Sequence, residues 1–123
     1  MTAAPLDRVR VAVRVAATGA ERDAAIDAWL RAAAAATSSS PRAIIAEGVL
    51  FERTTVHGVP IVGLTAGCPC CTGSAALRAT LARTLRKTRA ETLLLLMATA
   101  DHVPLLRRLL ESGDMGVRFE VET

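Results

Sequence analysis

Aromatic residues make up 2% of the 123-residue chain, with no tyrosine, two phenylalanines and one tryptophan. Single-stranded nucleic acid is bound largely on stacked aromatic rings, so this scarcity argues against that ligand class. Lysine is almost missing as well: every basic residue but Lys87 is an arginine. Charge of neither sign dominates. The 15 basic and 12 acidic side chains leave a net charge of +3, which is ordinary for a small domain and demands no polyanionic partner. Long apolar runs are missing too. The longest is Leu93–Ala98, far too short to span a bilayer. Neither nucleic acid nor membrane is expected as a partner.

What is present belongs to a folded domain. Apolar residues are 51% and charged residues 22% of the chain, enough to build a core, and the length suits one domain over 1–123. Arg8, Arg10 and Arg14 break up the N-terminal segment before it reaches the apolar length of a secretion signal. A cytoplasmic location is expected.

Residues 8–17 (RVRVAVRVAA) alternate, with Val9, Val11, Val13 and Val15 on one side and Arg8, Arg10 and Arg14 among the residues on the other. This period of two predicts a strand. A helix is predicted over 20–36, with Ile26, Trp29, Leu30 and Ala33 on its apolar stripe and Glu21, Asp23 and Asp27 near its start. The polar run to Pro41 ends it. Strands are predicted for 42–47 (RAIIAE), around 50–56, and for 59–65 (VPIVGLT). A helix over 74–90 carries Leu77, Leu81 and Leu85 on its core side and Arg78, Arg83, Arg86, Lys87 and Arg89 elsewhere. Residues 92–98 (TLLLLMA) form a continuous apolar run, the pattern of a parallel strand buried on both faces. Pro104 opens a helix to Ser112, with Leu105, Leu106, Leu109 and Leu110 inward and Gly113 as its stop, before a last strand over 117–121. The order predicts an α/β fold: an open, mostly parallel sheet with helices on both faces.

The most specific feature is Gly67-Cys68-Pro69-Cys70-Cys71, which gathers all three cysteines of the chain between a predicted strand and a predicted helix. Ligands bind where strands of a parallel sheet end and helices begin. A helix N-terminus also favours the thiolate, the form that binds metal or attacks a disulfide. Three clustered thiols point to a soft-metal site for Zn, Co, Ni or Cu. Cys68, Cys70 and Cys71 are the candidate ligands. A fourth would come from Glu47, His57, His102, a water or a partner chain. His102 follows the buried strand at the same sheet edge as the cysteines, and His57 precedes a glycine in a turn-like segment. Two other readings stay open. Cys68 and Cys71 form a C-x-x-C pair suited to thiol–disulfide exchange, and the arginine face of the 74–90 helix suits a protein-interaction module.

The order of these motifs resembles the CobW-type GTPases, a metallochaperone family. The resemblance rests on Gly67-Cys68-Pro69-Cys70-Cys71 followed by Ala75-Ala76-Leu77-Arg78. It extends to Ile44-Ile45-Ala46-Glu47, similar to a family strand whose closing glutamate can join the metal site. Leu93–Leu96 with Ala100-Asp101-His102-Val103-Pro104 is similar to the family's later strand and Ala-Asp-Pro stretch. The similarity covers about residues 8–112 and implies a truncated topology like that of the P-loop NTPases. The family's phosphate loop, G-x-x-x-x-G-K-[ST], is replaced by Ala17-Thr18-Gly19-Ala20-Glu21-Arg22-Asp23-Ala24. That segment lacks the second glycine, the lysine and the Mg²⁺-binding hydroxyl, and no guanine-reading N-K-x-D or T-K-x-D motif occurs. The implied protein is a metal-binding CobW-like domain with no GTP and no GTPase activity. It would serve as a carrier or sensor, as a homodimer, or as partner of a full-length GTPase of that type.

Overall fold

The structure, a computed structural model, describes residues 8–35, 40–47, 55–64, 75–113 and 115–122. Among them the chain runs β1 (Arg8–Val15), α1 (Gly19–Ala35), β2 (Arg42–Glu47), β3 (Thr55–Val56), β4 (Val59–Leu64), α2 (Ala75–Thr88), β5 (Thr92–Met97), α3 (Val103–Glu111) and β6 (Arg118–Glu122). A short 3₁₀ turn, Ala100–His102, leads into α3. The fold is α/β, with three helices and a six-stranded, mostly parallel open sheet ordered β3-β4-β2-β5-β1-β6. Among the described strands only β3 runs antiparallel, against β4.

The apolar run TLLLLM takes the place its sequence demands. Flanked by β1 and β2 in parallel, β5 buries Leu93–Met97 completely or nearly so. Its residues alternate between two cores. On one face Leu94 and Leu96 pack with Ile44, Ile61 and Ala12 under Ile26, Trp29 and Leu30 of α1. On the other, Leu93, Leu95 and Met97 pack with Ile45 and the β1 valines under Leu77, Leu81 and Leu85 of α2 and Leu106, Leu109 and Leu110 of α3. The helix placement follows from crossover handedness. The β1-to-β2 connection moves one way along the sheet. The β4-to-β5 and β5-to-β6 connections move the other way. Right-handed crossovers then put α1 on one face and the other two helices on the opposite face.

Several ends differ from the sequence expectation. The helix predicted to reach residue 90 stops at Thr88, because Arg89 turns into the left-handed region with φ 56°. The strand predicted over 50–56 is described only at Thr55–Val56, and 48–54 lie outside the described residues. It forms a hairpin with β4 through His57 (φ 50°) and Gly58 (φ 79°), the two positive φ angles of a tight hairpin turn. Val15, expected to face the core, is 45% exposed. Among the described residues pairing with β6 ends at Ala12, so the last residues of β1 have a strand neighbour on one side only. Leu105 is half-buried, whereas Leu106, Leu109 and Leu110 are fully covered. Gly113 ends the last helix as expected, with φ 75°. Ala33 of the predicted α1 stripe lies outside the described side chains.

Candidate functional site at the strand-end rim

Parallel strands β2, β4 and β5 end together. Glu47 closes β2 and stands in register with Leu64, which closes β4. On the other side of β2, Ala46 pairs with Leu96, one residue before β5 ends. Glu47 and Leu64 share the sheet face that carries α2 and α3, since side chains in register point the same way. Glu47 therefore projects beneath the connection that leaves β5, and there it is 4% exposed.

A carboxylate so buried needs partners, and it has them. One oxygen, Oε1, accepts the Ala98 N–H at 2.8 Å. The His102 Nδ1 lies 2.7 Å from Oε2 and 2.9 Å from Oε1. His102 reaches this position because Thr99 caps the 3₁₀ turn, its Oγ1 accepting the Asp101 N–H at 3.2 Å. The turn places the imidazole back over the end of β2. With the carboxylate ionised, Nδ1 carries the proton and donates it. In the neutral ring Nε2 then holds the lone pair. The His102 side chain is 20% exposed against 3% for Glu47, so the ring is the accessible member of the pair.

The structure thus joins two of the five predicted site residues, Glu47 and His102, from positions 55 residues apart. Cys68, Cys70 and Cys71 lie outside the described residues. Their segment, 65–74, connects Leu64 on this rim to Ala75 at the start of α2. Among the described residues no group of three or more His, Cys, Asp or Glu side chains comes together. His57 is in a different place. It is exposed in the turn that precedes β4, so the length of β4, about 17 Å for five residue steps, separates it from the rim. The buried contact between Glu47 and His102 was not legible in the sequence as a bonded pair, only as two separate candidates. The signal was that Glu47 closes one apolar strand and His102 comes shortly after the end of another.

A second feature of the rim is the start of α1, which follows β1. Thr18 Oγ1 accepts the Glu21 N–H at 3.1 Å, and the Glu21 carboxylate returns to the Ala17 N–H at 2.9 Å. This resembles a capping box whose return bond is displaced by one residue. Connections leave β1 and its neighbour β5 toward opposite faces, so the helix start lies at a topological switch point. The Glu21 carboxylate lies in the first turn of α1, bonded to the N–H just before the cap. On α2, Arg78, Arg83 and Arg86 are exposed, as the sequence suggested.

No described helix is long and apolar enough to cross a membrane. Compared with known proteins, the chain matches no family model, no curated protein and no solved structure.

Proposed function

We propose that this chain is a CobW-like metal-binding domain without GTPase activity. In this reading the thiolates of Cys68, Cys70 and Cys71 and the Nε2 atom of His102 hold one soft ion, Zn²⁺ or alternatively Co, Ni or Cu. The observation that carries it is the buried Glu47–His102 contact of 2.7 Å at the rim from which the cysteine segment departs. Metal-binding imidazoles typically donate their second ring N–H to a carboxylate, which fixes the tautomer and raises ligand basicity. Glu47 supplies that carboxylate. Its oxygens are engaged by Ala98 and His102, which favours a supporting role over direct ligation.

Connectivity supports the same grouping. Cys68 follows Leu64 by four residues, a span of at most about 14 Å. Leu64 itself sits one strand spacing, about 4.8 Å, from Glu47. Three thiolates and one imidazole make a closed tetrahedral donor set for zinc. The expected absence of nucleotide binding fits the α1 start, where the Glu21 carboxylate, held in the first turn, would repel phosphate. The domain then acts as a metal carrier or sensor, alone, as a homodimer, or beside a full-length GTPase of the CobW type.

Metal content measured on protein purified without added ions tests the reading. About one ion per chain is expected in the parent. The Cys68→Ser/Cys70→Ser/Cys71→Ser variant should lose it, and His102→Ala should weaken it. Equal, near-zero content in parent and triple variant would overturn the proposal. The same dyad supports a second reading, thiol–disulfide exchange by Cys68 and Cys71, because an imidazole near a thiol favours the thiolate. Mass spectrometry after mild oxidation separates the two: a reversible Cys68–Cys71 disulfide in metal-depleted protein is required by the second reading alone.

A further inference from the structure

The two strands at one end of the sheet, β1 and the edge strand β6, carry an unusual face. A parallel strand buried on both sides reads as a continuous apolar run, as β5 does. In contrast β1 alternates, with Arg8, Arg10 and Arg14 on the face that carries α1. That helix packs over β2, β4 and β5, and a groove of about 800 Å³ remains between it and the β1–β6 half of the sheet. Four arginines line the groove: Arg8, Arg10, Arg14 and Arg42.

Two of these are already neutralised. Arg8 pairs with Glu120 at 3.1 Å and Arg14 with Glu122 at 3.0 Å. The other two are not. Arg42 lies over the Trp29 ring, its guanidinium carbon 5.9 Å from the ring centroid, and its Nη1 is buried with no hydrogen-bond partner among the described residues. Arg10 forms no ion pair among the described residues. The sheet register sets these two side by side, because Arg10 and Arg42 both stand opposite Thr92, on its two sides. Their Cα atoms are therefore two strand spacings apart, about 10 Å, and both side chains and the Thr92 hydroxyl are on the groove face. One acid without an ion pair among the described residues, the exposed Glu91, lies in the lining.

We propose that this groove binds a small molecule through an oxyanion held between Arg10 and Arg42, with Thr92 as a further donor. A buried guanidinium nitrogen without an acceptor is costly. Carboxylate and phosphate oxygens are its strongest partners, and a planar guanidinium fixed by an aromatic ring is pre-set for bidentate contact. The volume suits a metabolite-sized ligand whose apolar part rests on Ala25, Ala28 and Trp29. The site lies at the strand starts and on the sheet face opposite Glu47. It does not depend on the metal reading.

Trp29 is the only tryptophan, so its fluorescence reports on the groove directly. The full chain is titrated with inorganic phosphate and, separately, with succinate, at ionic strength held constant with chloride. The expected result is a saturable change in Trp29 emission with at least one of the two, the responding anion naming the ligand class. Arg10→Gln, at an exposed position, should weaken that binding tenfold or more, as should Arg42→Gln where circular dichroism shows it folded. Arg86→Gln on α2 should leave it unchanged. No saturable response to either anion, or equal binding by the parent and Arg10→Gln, would overturn the proposal.

Discussion

Replacing Glu47 tests the rim through stability before any metal is added. Glu47→Ala strands two groups at once, the Ala98 N–H and the His102 Nδ1, both bonded to a carboxylate that is 4% exposed. Hydrogen bonds to a charged group contribute about 1.5–3 kcal/mol each. Their sum is reduced because the variant no longer buries a carboxylate. The lower end, about 3 kcal/mol, is expected here, since His102 keeps some contact with solvent. Urea unfolding followed by circular dichroism, on protein stripped with a chelator, reads this directly. With a slope of roughly 1.5 kcal/mol per molar urea, the midpoint should fall by roughly 2 M. Glu47→Gln separates support from ligation. The amide still accepts from Ala98 and can donate to Nδ1, which moves the imidazole proton to Nε2. Stability should then fall by only about 1 kcal/mol, while metal affinity falls about 10- to 100-fold. A Glu47→Ala variant within about 0.5 kcal/mol of the parent would refute the claim that this pair is a bonded, buried unit.

Other outcomes follow from the packing. Leu94→Ala opens a cavity in the centre of the sheet, where Leu94 is 0% exposed, and should cost about 3–5 kcal/mol by denaturant titration. Gly58→Ala places a Cβ at φ 79° in the β3–β4 turn and should cost about 1–2 kcal/mol, read as a lowered melting temperature. Metal uptake by the parent should acidify a weakly buffered solution, because cysteine ligands bind as thiolates. Proton release should vanish in the triple cysteine variant.

The sheet and its helices were largely legible because each element carries its own period. The run TLLLLM marks a strand covered on both faces, RVRVAVRV a strand covered on one, and Leu77, Leu81 and Leu85 a helix stripe. Less legible were features set by neighbours. Arg89 ends α2 in a left-handed conformation that no local glycine announces. Val15 escapes burial because β6 stops short of it. The Glu47–His102 bond depends on β2 and β5 being adjacent, a long-range pairing that no local pattern encodes. The open arginine face of β1 was readable as an alternation. Its meaning, a groove beside α1, required knowing where that helix lies.

X-ray absorption spectroscopy at the zinc edge, on the zinc-loaded protein, is the decisive measurement of the proposed site. The account predicts a shell of three sulfur atoms near about 2.3 Å and one imidazole nitrogen near about 2.0–2.1 Å, with the nitrogen contribution lost in His102→Ala. A shell of oxygen atoms without sulfur, or zinc that washes away on dialysis of the parent protein, would contradict it.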